Sequence, residues 1–325
     1  MTITSLALLG LGRWGATLVR SVQNKSPKVR FTAAVSRSPA KHFDTARELG
    51  LNLLPDLAAV LADPSIDGVV IATPHSLHAE AIAACRKAGK PALVEKPFTL
   101  DRASAEAALA HGSSIVVAGH NRRFLPAAQA IGAAVAAGEL GTILHMEANF
   151  SGNMVGRYTK DMWRADASES PAGGLAGSGI HLIDLMIGYA GPIGSVYATS
   201  SRRVPELPID DTLTSVLRFR SGASAVLSCV TASTSVLRVQ VFGTKGSAEM
   251  LGPDRVIFTA LDGSRRILEF PPTDIERAEL EAFADAIAGR QAYPVPMDDV
   301  LNGVSVFEAI PQSLAKGGLV TVDAA

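Results

Sequence analysis

Six residues near the amino terminus, Gly10-Leu11-Gly12-Arg13-Trp14-Gly15, carry the G-x-G-x-x-G spacing of a dinucleotide-binding turn. The motif directly follows an apolar run, Ile3 to Leu9, and opens a stretch that reads as a helix, Arg13 to Gln23. In that context each glycine has a task. The first makes a tight turn, the second admits the pyrophosphate, and the third lets helix and strand pack closely. Arg13 and Trp14 stand where the free N–H groups and dipole of the helix favour an anion.

The next chemistry lies at the end of the second apolar run, Phe31 to Val35. An NAD site usually carries an acidic residue there to bond the ribose hydroxyls. This chain has Ser36-Arg37, with Ser36 in the acidic position and Arg37 suited to a 2′-phosphate or to stacking on adenine. NADP(H) is therefore the expected cofactor, with NAD(H) still admitted if Arg37 only caps a surface loop. Thr73-Pro74 reads as a helix start, Thr73 as N-cap and Pro74 in the first position. His75 and His78 repeat at helical spacing, but no third ligand accompanies them, so no metal is expected. Trp163 and Arg164, within Lys160-Asp161-Met162-Trp163-Arg164, offer a stacking face and a fork of donors for a polyhydroxylated ligand; a core role for Trp163 stays open. Asp210-Asp211 directly precedes a strand and reads as a solvated strand entry.

The segments Thr73 to His78, Glu95-Lys96-Pro97 and Gly179-Ile180-His181-Leu182-Ile183-Asp184, together with the glycine turn, resemble the glucose-fructose oxidoreductase / inositol dehydrogenase / rhizopine catabolism (Gfo/Idh/MocA) family over the whole chain. The resemblance implies a dehydrogenase or reductase acting on a sugar, cyclitol or related hydroxy/keto compound. It places Lys96 at the nicotinamide, bonded to the substrate hydroxyl, and makes His181 the proton-transfer residue. A cationic donor stabilises alkoxide character, and an imidazole titrates near neutrality. By the same likeness Glu95 orients Lys96 or bonds the ribose, while Thr73, Pro74, His75 and His78 lie by the nicotinamide ribose. Arg123 contacts cofactor or substrate, and Asp184, three residues after His181, touches substrate or orients the ring. Relatives carry an aspartate four residues before this histidine; here the position is Gly177, leaving proton transfer to Lys96 and His181. That gap also favours a second reading, a nicotinamide-binding sensor or transcriptional co-regulator. A third is an NAD-dependent glycosidase.

The elements that must position these groups follow from the apolar rhythm. Short buried strands at Ile3–Leu9, Phe31–Val35, Gly68–Ala72, Ala92–Val94 and Ile115–Ala118 alternate with helical stretches, which predicts a doubly wound parallel (Rossmann) sheet. After Phe124 the rhythm changes. A helix over 127–137 leads to a strand at Ile143–Phe150, a helix around His181–Ile187, and five strands without crossovers: 196–200, 212–219, 223–230, 236–242 and 247–251. The second half is thus an α+β domain on a mostly antiparallel sheet, closed by helices near 275–288 and 300–316. The expected domains are 1–122 for the cofactor and 123–325 for substrate and oligomerisation. Val236, Arg238, Gln240 and Phe242 would leave one sheet face mixed, fitting the dimers or tetramers common in the family.

Bulk properties narrow the rest. A chain of 325 residues with 47% apolar residues and a net charge of −1 suits two globular domains and gives no pull toward nucleic acid. Cys85 and Cys229 lack metal-ligand or disulfide spacing. The N-terminal run lacks a basic leader, and no stretch reaches membrane-span length, so a cytoplasmic protein is expected.

Overall fold

The computed structural model describes residues 3–154, 159, 162–204 and 209–322. Its first sheet is built from β1 (Thr4–Leu9), β2 (Val29–Val35), β3 (Asn52–Leu54), β4 (Gly68–Ile71), β5 (Ala92–Glu95) and β6 (Val116–Gly119). All pairings are parallel, in the order β3-β2-β1-β4-β5-β6. The connecting helices are α1 (Arg13–Val22), α2 (Pro39–Leu49), α3 (Leu57–Ala62), α4 (His78–Lys87) and α5 (Arg102–Leu109). Continuous apolar runs such as Gly68–Ile71 are buried along their length, as strands covered on both faces must be. The short β3 and α3 were not among the expected elements.

The remaining elements are α6 (Pro126–Ala136), β7 (Ile143–Asn153), α7 (Ile180–Ala190), β8 (Ile193–Ser201), β9 (Thr212–Phe219), β10 (Ser224–Val230), β11 (Ala232–Gly243), β12 (Gly246–Leu251), β13 (Arg255–Ala260), β14 (Arg265–Glu269), α8 (Ile275–Ile287), α9 (Met297–Lys316) and β15 (Val320–Thr321). The second sheet runs β14-β13-β12-β11-β7-β10-β9-β8-β15. It is antiparallel except where β10 pairs with β7. Register puts Met146, Ala148, Ala225, Leu227, Val239 and Val241 on one buried face. Gln240 and Glu147 pair on the other, as the alternation predicts. On the buried side α9 is tied to β8, where Asn302 Oδ1 accepts from Ile193 N at 2.8 Å and Ser313 Oγ accepts from Ala198 N at 2.9 Å. Among the described residues no helix is long and apolar enough to cross a membrane.

The chain divides into two units, but not into two consecutive segments. One comprises residues 1–121 and 274–297, the other 122–273 and 298–325. The first crossover lies next to the expected boundary; the continuous second domain 123–325 does not hold. Helix α8 belongs to the first unit because its apolar face completes that unit's core, with Leu280, Phe283 and Ala284 clustered among Leu6, Leu18, Val22 and Phe31. Polar ties fix it there. Lys28 Nζ lies 2.8 Å from Asp285 Oδ2, Arg277 Nε donates to Ser21 O at 3.0 Å, and the Tyr293 hydroxyl donates to Ala118 O at 3.1 Å.

Candidate active site

In the first unit the strand order reverses at β1, so the carboxyl ends of β1 and β4 flank a topological switch point, where open α/β sheets bind ligands. The glycine turn leaves β1 there. Gly10 has φ +107°, and a Cβ on it would lie 2.6 Å from Ala72 O. A Cβ on Gly15 would lie 2.3 Å from Gly10 O and 2.8 Å from Leu8 Cδ2, so α1 packs against the strand with no room for a side chain. Among the described residues, a Cβ on Gly12 would meet nothing within 4 Å. The protein therefore needs glycine at the first and third positions for its own packing, whereas the space over Gly12 is open. That is the arrangement a pyrophosphate requires. Gly12 and Arg13 are exposed at the start of α1, whose first turn holds no acidic residue to repel an anion. Trp14 is half-buried against the core, and its Nε1 is buried without a hydrogen-bond partner among the described residues.

Strand β2 ends at Val35. The Ser36 hydroxyl accepts from Ser38 N at 3.1 Å, and Arg37 is exposed, with no ion-pair partner among the described residues. At the end of β4 the helix begins later than its sequence implied. Pro74 has ψ 147°, a 3-10 turn runs His75–Leu77, and α4 follows from His78. Thr73 does not cap it; its hydroxyl is buried without a hydrogen-bond partner among the described residues. His75 is buried beside this turn. His78 is fully buried, Nδ1 3.0 Å from Pro97 O and Nε2 3.1 Å from Thr73 O, so its expected contact with the cofactor does not hold. Strand β5 ends in the buried Glu95, whose Oε2 lies 3.3 Å from Lys96 N. Lys96 is half-buried, and its bond to Pro97 is cis.

In the second unit a π-helical turn, Leu175–Gly179, leads into α7. Glycines let it lie flush on the sheet. A Cβ on Gly174 would come within 3.0 Å of Cys229 Cβ, and one on Gly179 within 3.4 Å of Cys229 Sγ. Gly177 falls inside this turn and His181 in the first turn of α7. His181 is 5% exposed, its ring 6.1 Å from that of Phe150 at an interplanar angle of 42°. The Arg122 guanidinium sits 5.5 Å from the Phe150 centroid. Phe150 is thus a neighbour of His181 to which sequence reasoning assigned no role.

Arg123 and Asp184 depart from expectation together. Arg123 Nε donates to Asp184 Oδ2 at 2.8 Å, and Nη2 to Oδ1 at 3.0 Å and to Asp299 Oδ2 at 3.0 Å. The guanidinium is spent on linking α7 to α9 rather than offered to a cofactor, and the Asp184 carboxylate is held by Arg123. Gly188 makes room for this, since a Cβ there would lie 2.0 Å from Arg123 Nη1. Asp211 is no solvated strand entry either. It is 2% exposed and accepts from Arg203 N at 2.6 Å and Val204 N at 2.5 Å, pinning the turn before β9. Trp163 and Arg164 share a 3-10 turn, the guanidinium stacked 4.0 Å over the indole; Lys160 and Asp161 lie outside the described residues. No group of three His, Cys, Asp or Glu side chains among the described residues is arranged to hold a metal.

Residues 4–118 match the family described as an oxidoreductase family with an NAD-binding Rossmann fold, and residues 128–249 match the GFO/IDH/MocA C-terminal domain. A D-xylose 1-dehydrogenase (NADP(+)) of Haloferax volcanii is 30% identical over 305 residues, 90% of this chain and 91% of its own. A scyllo-inositol 2-dehydrogenase (NAD(+)) of Bacillus subtilis is 28% identical over 340 residues, covering 98% and 96%. Among solved structures, a levoglucosan dehydrogenase in complex with NADH and levoglucosan superposes with a TM-score of 0.89 at 22% identity, over 99% of this chain and all of that one.

Proposed function

Because the chain belongs to the Gfo/Idh/MocA oxidoreductase family and is an NAD(P)-dependent dehydrogenase, we propose that it oxidises or reduces a sugar, cyclitol or related polyhydroxylated compound, with NADP(H) preferred. The observation that carries the reading is the open space over Gly12 between two sterically obligatory glycines at the switch point. Gly10, Gly12, Arg13, Trp14 and Gly15 hold the dinucleotide diphosphate. Ser36 and the exposed Arg37 take the 2′-phosphate, and Thr73, Pro74, His75 and Glu95 take the nicotinamide end. When bound there, a nicotinamide would supply hydride exchange at the substrate carbon.

The chain's own residues handle the oxygen and its proton. Lys96 donates to the reacting oxygen and stabilises its developing negative charge. His181 takes the hydroxyl proton in oxidation and returns it in reduction. Phe150, Trp163 and Arg164 supply apolar and guanidinium surface for the sugar. The named substrates of the relatives, xylose and inositol, support a polyol of this kind. The open face of the second sheet, where Tyr197 pairs with Val216, both exposed, serves a homodimer or homotetramer.

Gly177 favours one other reading, a nicotinamide-binding sensor without turnover. A panel of sugars and polyols with NADP+ decides between them. Growth of the reduced-nicotinamide absorbance that Lys96→Ala abolishes, with cofactor binding retained, supports the enzyme. Binding without turnover on any substrate supports the sensor.

A further inference from the structure

His78 stands one turn of chain away from the residues that meet the cofactor, yet it is fully buried and both of its ring nitrogens face backbone carbonyls. Nδ1 is 3.0 Å from Pro97 O, in the residue after Lys96, and Nε2 is 3.1 Å from Thr73 O, at the end of β4. A carbonyl oxygen only accepts, so each contact is satisfied only by an N–H from the ring. A neutral imidazole carries one N–H and would leave its other lone pair against a carbonyl oxygen. The His75 ring packs edge-on at 5.8 Å.

We propose that His78 is a positioning residue which, donating from both ring nitrogens, ties the Thr73 carbonyl to the Pro97 carbonyl and so fixes Lys96 relative to the β4 turn. This rests on the reading of Lys96 given above. The two segments joined are 24 residues apart in sequence, at the ends of neighbouring strands β4 and β5. Strand pairing aligns them only as far as Ile71 with Val94. Beyond that point the ladder no longer sets the spacing, and the imidazole bridge does. Lys96 lies between the last paired residues and the bridged Pro97, so its backbone is held at both ends.

The two amide replacements separate the bonds. An asparagine amide falls near Nδ1 and keeps the bond to Pro97 O; a glutamine amide falls near Nε2 and keeps only that to Thr73 O. His78→Gln is expected to lower kcat on the order of 100-fold, the scale of a small misplacement of a catalytic group, while KM for cofactor stays within a few-fold. His78→Asn retains more kcat than His78→Gln. Equal kcat for the two variants overturns the proposal. Nitrogen NMR of the unmodified protein reads the bridge without any substitution: two protonated ring nitrogens on His78 support it, and one bare nitrogen overturns it. Should Lys96→Ala retain full turnover, the reading of Lys96 falls and the positioning role with it, whereas a bare nitrogen beside an essential Lys96 refutes the bridge alone.

Discussion

Arg123 grips Asp184 with two parallel hydrogen bonds, Nε to Oδ2 at 2.8 Å and Nη2 to Oδ1 at 3.0 Å, across 61 residues of sequence. The Asp184 side chain is 2% exposed and that of Arg123 15%. Removing one member leaves the other charge buried, which typically costs about 3–5 kcal/mol. Asp184→Asn is therefore expected to lower unfolding stability by a few kcal/mol, read from urea denaturation. The second partner of Arg123, Asp299, is less buried and moderates the loss. A change below about 1 kcal/mol would show that the pair is solvated in practice.

The two open questions at the glycine turn have opposite expected signatures. Gly15→Ala forces a methyl onto Gly10 O and Leu8, and overpacking of that kind costs typically about 1–3 kcal/mol. Gly12→Ala meets no atom of the described residues within 4 Å, so its melting temperature stays near that of the parent. Its cofactor Kd should rise at least about tenfold, equivalent to roughly 1.4 kcal/mol. Thermal melts and a cofactor titration on the same two proteins decide, and an unchanged Kd for Gly12→Ala would remove the pyrophosphate assignment.

Cofactor choice turns on one exposed side chain. Arg37→Ala should weaken NADP+ binding about tenfold or more while altering NAD+ affinity much less, since only the former carries the 2′-phosphate. Replacing Ser36 with Asp should move preference toward NAD+ by restoring a ribose acceptor. Equal loss for both cofactors in Arg37→Ala contradicts the assignment.

His181→Asn keeps a polar group of similar size but not a proton acceptor. Its kcat should fall roughly 100- to 10,000-fold, the usual range for general acid–base catalysis, with cofactor affinity unaltered. A pre-steady-state burst of hydride transfer surviving in the variant would assign the histidine to another step.

The two thiols give a pH dependence. Burial pushes both Cys85 and Cys229 up to about 12, an effect that the Phe150 backbone N–H partly offsets at Cys229. In the unfolded chain each thiol releases its proton near its ordinary value. Between that value and about 12 the folded protein therefore holds protons the unfolded chain has lost. The stabilisation is fully present below this window and declines as pH rises through it, by up to about 1.4 kcal/mol per pH unit for each thiol. Urea midpoints measured from about pH 8 to about pH 10.5 should fall less steeply in Cys85→Ala/Cys229→Ala than in the parent. Parallel slopes would mean that other groups dominate the alkaline limb.

What sequence reveals here is what is local. The glycine turn, the strand end at Val35 and the alternation of β11 are contiguous patterns, and the structure keeps each of them, while β5 runs one residue past its expected end at Val94. Strands β13 and β14 are not among the expected elements, although for β13 the run Val256-Ile257-Phe258 lies between Gly252-Pro253-Asp254 and Asp262-Gly263, both turn signals. The partners of His78, Arg123 and Asp211 were not legible in the sequence. Helical spacing gives the phase of a residue but cannot say that a carbonyl 19 residues away, or a carboxylate 61 residues away, will stand opposite. The same limit applies to α8, whose amphipathic pattern marks an apolar face without naming the surface it covers.

Helix α8 also constrains the history of the molecule during synthesis. The first unit lacks Leu280, Phe283 and Ala284 of its core until residues 274–297 have left the ribosome. The usual order, in which an amino-terminal domain finishes folding while the rest is still being translated, is therefore closed to this chain. Its nucleotide-binding sheet has to wait for most of the second unit to be made. A gene truncated after residue 122 would encode a sheet with an uncovered apolar groove, so this unit cannot be recombined into other proteins as a single exchangeable cassette.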